Sequence, residues 1–115
     1  MKHLKSGRKL SRKRGERKAL LKILATNLIL HRKITTTRAK AKEVAPFFEH
    51  LVNVAKKENL ASKKKIHSIF SKKVAEIFIK ELGPKYKDRS GGYTRITKLG
   101  SRKGDAAEIV KLELV

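Results

Sequence analysis

Residues 33–57 read KITTTRAKAKEVAPFFEHLVNVAKK, and this stretch decides the fold. It opens with four consecutive β-branched residues, Ile34, Thr35, Thr36 and Thr37. Such side chains are stiff at χ1, lose little in an extended chain and crowd a helix, so a short strand is expected over 33–37. The period then changes. Ala41, Val44, Ala45, Phe48, Leu51, Val52 and Ala55 recur at three- and four-residue steps, which sets them on one continuous stripe of a helix over 38–57, with Thr37 as its N-cap. Pro46 interrupts the pattern. Its ring conflicts with the carbonyl of Lys42, so either a kink or a helix starting later than Arg38 is expected.

Working outward toward the N-terminus, Leu20, Leu21, Ile23, Leu24 and Leu28 repeat at helical spacing behind a candidate cap at Ser11. Toward the C-terminus, Ile66, Ile69 and Phe70 mark a helix within 59–70, and Val74, Ile77, Phe78 and Leu82 mark another within 71–82, with Asn59 and Ser71 as caps. Gly83-Pro84 is expected to end the last helix, because Gly tolerates the left-handed closing conformation and Pro cannot continue the ladder. A strand over 93–99, a turn-rich stretch over 100–105 and the alternation of Val110, Leu112 and Leu114 with Lys111 and Glu113 complete the chain. The order is helix, strand, three helices, two strands. This predicts one α+β domain over 11–115, with a small mixed or antiparallel sheet, helices packed on one face and the last two strands forming a hairpin. A basic extended arm over 1–10 precedes it.

The 115 residues hold 31 Lys plus Arg against 10 Asp plus Glu, a formal net charge of +21. Self-repulsion on that scale opposes compaction until a polyanion neutralises it, and nucleic acid is the commonest such partner. With no Cys in the sequence, disulfides, thiolate zinc sites and cysteine nucleophiles are excluded. The longest apolar stretch, over 19–30, is broken by Lys22, Thr26 and Asn27 and falls short of the roughly 18 residues a membrane span needs. His3, His31, His50 and His67 never fall at the i, i+4 spacing of paired helical metal ligands. Glu49 and His50 are adjacent on a helix, where neighbours point about 100° apart, so they make a poor acid–base couple. No metal, cofactor, small-molecule substrate or enzymatic activity is expected.

Two segments concentrate the charge. Residues 1–18 carry Lys2, Lys5, Arg8, Lys9, Arg12, Lys13, Arg14, Arg17 and Lys18 against Glu16 alone, and residues 85–103 carry Lys85, Lys87, Arg89, Arg95, Lys98, Arg102 and Lys103 against Asp88 alone. Lys63-Lys64-Lys65 and Lys72-Lys73 stand instead among Glu58, Glu76 and Glu81 and fit solvated helix faces. Where Arg mixes with Gly and Ser and acids are scarce, the guanidinium fork can grip phosphate with two bonds. These two sets of cations are therefore the candidate nucleic-acid contacts, together with His3 and with Arg38 and Lys40 at the start of the central helix. Gly91 and Gly92 fit either a close backbone approach to phosphate or a plain turn. Tyr93, like Tyr86, stands in the basic segment, where a ring could stack on a base or ribose. A place in the core fits both tyrosines equally.

The function these features predict is a sequence-independent phosphate clamp, in which a basic arm and a basic loop hold separate RNA segments at a distance set by a small rigid domain. An architectural DNA-binding protein is the alternative on charge alone, but no apolar wedge for unstacking a base step accompanies Gly91-Gly92 and no zipper supplies a dimer. A cationic membrane-surface helix would need one exposed amphipathic face, whereas these apolar stripes come in sets that can bury one another. An RNA-modifying enzyme lacks a site.

Several of these segments also resemble a known family. Met1-Lys2-His3-Leu4-Lys5-Ser6-Gly7-Arg8-Lys9-Leu10, Ile34-Thr35-Thr36-Thr37 with Lys40-Ala41-Lys42-Glu43, Gly91-Gly92-Tyr93-Thr94-Arg95-Ile96, Arg102-Lys103-Gly104-Asp105-Ala106-Ala107 and Leu112-Glu113-Leu114 closely resemble bacterial large ribosomal subunit protein seventeen. The resemblance covers essentially the whole chain. It implies a structural, ribosomal-RNA-binding component of the large subunit, working in translation in the cytoplasm, with the same order of elements. It further implies a place near the polypeptide exit side and contact with neighbouring large-subunit proteins, protein thirty-two among them.

Overall fold

In this computed structural model, residues 14–115 are described. The expected arm over 1–10 and the Ser11 cap lie outside the described residues. Helix α1 (Arg14–His31) ends where Arg32 takes a left-handed conformation, φ 66°. The Arg32 N–H closes the helix on the Leu28 carbonyl at 2.8 Å, the one-bond left-handed closure usually made by glycine. Its guanidinium bonds the Ile29 carbonyl at 2.9 Å and Glu81 at 2.6 Å, so the unusual backbone is held from both ends.

Strand β1 (Lys33–Thr37) runs directly into α2 (Arg38–Ala55), with Thr37 extended and its hydroxyl accepting the Lys40 N–H at 3.4 Å. The helix starts at Arg38 and continues through Pro46, which excludes the later start. Lys42 and Pro46 both lie on the exposed side, so the carbonyl that loses its helical donor can turn to solvent. Helix α3 (Leu60–Ile69) is capped by Asn59 Oδ1, which accepts the Ser62 N–H at 2.8 Å.

Helix α4 (Lys72–Ile77) corrects two expectations. Ser71 precedes it without a side-chain cap bond, and Gly83-Pro84 does not stop the chain from coiling. A wider turn over Phe78–Leu82 intervenes, with the Gly83 N–H reaching back to the Phe78 carbonyl, and a last turn over Gly83–Lys85 follows. The insertion restarts the hydrogen-bond ladder, so Pro84 falls in an opening turn where its missing N–H costs nothing. Gly83 is right-handed, φ −55°, and its role is proximity: a Cβ there would sit 3.3 Å from the Ala55 carbonyl oxygen.

Strands β2 (Thr94–Ser101) and β3 (Glu108–Leu114) form the expected hairpin. The sheet order is β1-β3-β2 with both pairings antiparallel, which makes β3 central. A register shift between Lys98 and Gly100 leaves Leu99 as an extra, exposed residue. Val110 and Leu112 face α1 and α2 and are fully buried, joining Leu28, Ile29, Val44, Phe48, Leu51 and Phe78. Phe48 stacks on Phe78 at 5.5 Å between centroids, and Phe70 meets Phe78 edge-on at 5.9 Å. Each such side chain contributes about 1.5–3 kcal/mol through burial, and together they fix the sheet to the helices.

Candidate nucleic-acid interface

From Arg95 to Ser101 every residue of β2 is exposed, so the hairpin reaches beyond the cover of the helices. Directly opposed residues in an antiparallel sheet share a face. One row on the helix-free face is Lys33, Glu113 and Arg95, and the next is Thr35, Lys111 and Thr97. Arg95 Nε lies 3.3 Å from one Glu113 oxygen and Lys111 Nζ 3.7 Å from the other. On the opposite face, Glu108 stands 3.7 Å from both Arg38 and Lys98.

At the hairpin turn, Arg102 grips Asp105 with two bonds, Nε to Oδ1 at 3.2 Å and Nη2 to Oδ2 at 2.6 Å, and the Ala107 N–H donates to Oδ1 at 3.1 Å. The Arg102 hydrogen bond, followed by that of Ala107, holds the Asp105 carboxyl down at about 2 and pushes the guanidinium up. The expectation that acids are scarce around Arg95, Lys98 and Arg102 is therefore corrected. Strand register and the turn bring Glu113, Glu108 and Asp105 to them. Exposed pairs of this kind are worth about 0–1 kcal/mol, so a phosphate can compete for the cation.

The loop before β2 is built on α2. Tyr93 is fully buried, and its hydroxyl accepts from Lys56 Nζ at 2.9 Å while it donates toward Asn53 Oδ1 at 2.6 Å, with the Arg89 carbonyl at 3.0 Å. Lys56 also donates to that Arg89 carbonyl. Tyr86 is likewise buried, 5.0 Å from the Tyr93 ring, and donates to the Val115 carbonyl at 2.9 Å; burial pushes its phenol up. Tyr93 is therefore a core residue, and neither ring is free to stack on a base. Arg89 Nε bonds the Gly91 and Gly92 carbonyls, each at 3.2 Å, and Gly92 takes φ 63°. The turn thus accounts for Gly92. Lys85, at the end of the last helical turn, and Lys87 and Arg89, in the loop, are exposed.

On α1, Arg14 and Lys18 are exposed, whereas Arg17 turns to Glu43 on α2 at 3.1 Å. Arg38 is exposed and Lys40 half-buried. The candidate contacts from Lys2 to Lys13, His3 included, lie outside the described residues. Glu49 accepts the Thr94 hydroxyl at 2.8 Å, which commits it to joining α2 to β2. Among the described residues, no group of three His, Asp or Glu side chains is placed to hold a metal, and no helix is long and apolar enough to cross a membrane.

The family profile of ribosomal protein L17 matches residues 20–115. This chain belongs to the ribosomal protein L17 family. It is 46% identical, over the full length of both chains, to the large ribosomal subunit protein bL17 of Dictyoglomus thermophilum. It is 49% identical to that of Rickettsia bellii, with all of this chain and 82% of the relative covered, and 45% identical to that of Rubrobacter xylanophilus, with all of this chain and 96% of the relative covered.

Three further cations of this L17-family chain acquire defined places that the sequence reading did not single out. Lys33 and Lys111 belong to the helix-free sheet face, and Lys56 ties the 89–93 loop to α2. The period of two held the signal for the first pair, because Lys33 precedes inward Ile34 and Lys111 sits between inward Val110 and Leu112. For Lys56 there was no signal, since its partners are distant in sequence.

Proposed function

We infer that this chain is a structural constituent of the large ribosomal subunit that binds ribosomal RNA and supports translation without catalysis. The observation that carries this is identity of 46% over the whole of both chains to a protein named large ribosomal subunit protein bL17. The net charge of +21 supplies the physical means, because Lys and Arg displace the counterions condensed on RNA. The basic stretch over 2–18 and the basic surface over 85–103 hold separate RNA segments, and the packed helices and sheet set the distance between them. Exposed Lys85, Lys87, Arg89, Lys98 and Lys103 suit phosphate. The partners are large-subunit ribosomal RNA and neighbouring large-subunit proteins, with protein thirty-two the specific neighbour, all in the cytoplasmic ribosome.

Sedimentation of the tagged chain in lysate, before and after a high-salt wash, tests this directly. It is expected to travel with large subunits. Recovery as free protein, or equal binding to duplex DNA and folded ribosomal RNA, overturns it in favour of an architectural DNA-binding role.

A further inference from the structure

The helices cover one face of the sheet, and the other face carries an ordered set of polar side chains contributed by all three strands. Lys33 and Thr35 come from β1, Lys111 and Glu113 from β3, and Arg95 and Thr97 from β2. We propose that this face is a platform for the sugar-phosphate backbone of one RNA segment, with Lys33, Lys111 and Arg95 as its phosphate contacts. The proposal rests on the ribosomal-RNA-binding role inferred above and assigns part of that role to a surface made mostly of residues outside the two basic segments.

Three observations favour it. The first is charge: three cations share the face with one acid, and Glu113 bridges two of them, one carboxylate oxygen to Arg95 at 3.3 Å and the other to Lys111 at 3.7 Å. The pairing leaves a net charge of +2 across these two rows, aims two cations along the sheet surface, and leaves Lys33 without an acidic partner among the described residues. The second is position. Lysine on an edge strand is a common guard against edge-to-edge pairing, which is reason enough for a cation on β1 or β2. Lys111 is on the central strand, paired on both sides, where no edge needs protection.

The third is chemistry. The two rows contain no aromatic ring, so they offer nothing on which a base could stack, while the Thr35 and Thr97 hydroxyls suit ribose and phosphate oxygens. Neighbouring strands lie about 4.8 Å apart, so the cations span about 10 Å across the sheet, on a backbone lattice that keeps their spacing fixed. The lysines of α3 lack that lattice and project singly into solvent. An acidic protein segment would find the same cations, and the test separates it from RNA.

The experiment uses the full chain and a large-subunit ribosomal RNA transcript, with affinity measured across a salt series and a thermal melt for every variant. Lys33→Gln/Lys111→Gln is expected to bind about tenfold or more weakly at low salt, and its log–log salt slope to fall by about 2. Thr35→Glu, which adds a charge and removes no cation, is expected to weaken binding in the same direction. Lys33→Arg/Lys111→Arg and the control Lys63→Gln/Lys64→Gln are expected to bind as wild type. Wild-type affinity and slope in Lys33→Gln/Lys111→Gln and Thr35→Glu, alongside loss in Lys85→Gln/Arg89→Gln, overturns the platform and leaves the RNA-binding role standing. Loss of binding in the arginine pair together with a lowered melt makes these residues structural and also overturns it. Normal RNA affinity with failure to enter the large subunit assigns the face to a protein and overturns it as well. Failure of wild type itself to prefer this RNA over duplex DNA is a different result, and sinks the role on which the proposal rests.

Discussion

The middle helices and the β2–β3 hairpin both carry dense positive charge, but they hold it in different ways. On α3 and α4, Lys63, Lys64, Lys65, Lys72 and Lys73 are exposed on the side away from buried Ile66, Val74 and Ala75, and the burial decides where they point. On β2 and the hairpin turn there is little burial, and Arg95, Lys98 and Arg102 are each steered by an acid, Glu113, Glu108 and Asp105 respectively. Cations oriented this cheaply can be transferred to another anion. The difference teaches that a scarcity of acids along the chain is not a scarcity in space, and that in a sheet the pairing register decides which charges meet.

The contrast breaks first at the core. Phe48→Ala and Leu51→Ala are each expected to destabilise the domain by about 2–5 kcal/mol, since both side chains are fully enclosed and would leave cavities. Lys64→Ala should stay within about 0.5 kcal/mol of wild type. Equal melting temperatures for all three would mean that α2 is not the element holding the sheet to the helices. Binding per folded molecule should not change in any of them.

Deletion of residues 1–10 comes next in size. It removes Lys2, Lys5, Arg8 and Lys9, so the salt slope of RNA binding should fall by about 3–4 if each neutralises one phosphate. The melting temperature should hardly move. A deletion variant that binds with unchanged slope would transfer the electrostatic work to the hairpin and loop. At the hairpin, Arg95→Ala and Arg102→Ala should each weaken binding by about 1–3 kcal/mol without lowering the melt, because the arginine of each ion pair is solvent-exposed. If either variant melts early and binds normally once folded, its ion pair serves the hairpin rather than the RNA.

Most of the elements were legible in the sequence, because their signals are local. Four β-branched residues announced β1, the stripe from Ala41 to Ala55 announced α2, and alternation announced β3; Thr37 and Asn59 cap as their types predict. The wide turn over Phe78–Leu82 was hidden, since one inserted residue leaves Val74, Phe78 and Leu82 at four-residue steps and the apolar pattern unbroken. Gly83 therefore looked like a stop when it is a point of close approach to Ala55. Tyr86 and Tyr93 could not be placed, because a tyrosine among cations suits either a base or a core. Asn53, Lys56 and Val115, all distant in sequence, decide for the core. The basic segment over 85–103 was legible as charge, but the register that sets its β2 part against β3 is not contained in composition.

The smallest effect is local to the hairpin turn and sharpens the same contrast. Asp105 is held at about 2 against an ordinary value of 3.8, chiefly by the Arg102 hydrogen bond. A carboxyl depressed by folding stabilises the turn fully above its unfolded value and loses that contribution as pH falls through its folded value. The turn should therefore remain closed down to about pH 3.8 and open progressively as pH falls through about 2. The side-chain carbon resonance of Asp105 should titrate near that lower value, and the Ala107 amide, which donates to Asp105 at 3.1 Å, should lose exchange protection over the same range. In Arg102→Ala the resonance should move back toward 3.8, because the largest cause of the depression is gone. Amides of α2 around Phe48 should not respond in step with the turn, since they are held by burial rather than by charge. A wild-type titration at the ordinary carboxylate value would mean that Arg102 is free in solution and meets RNA without first releasing an acid.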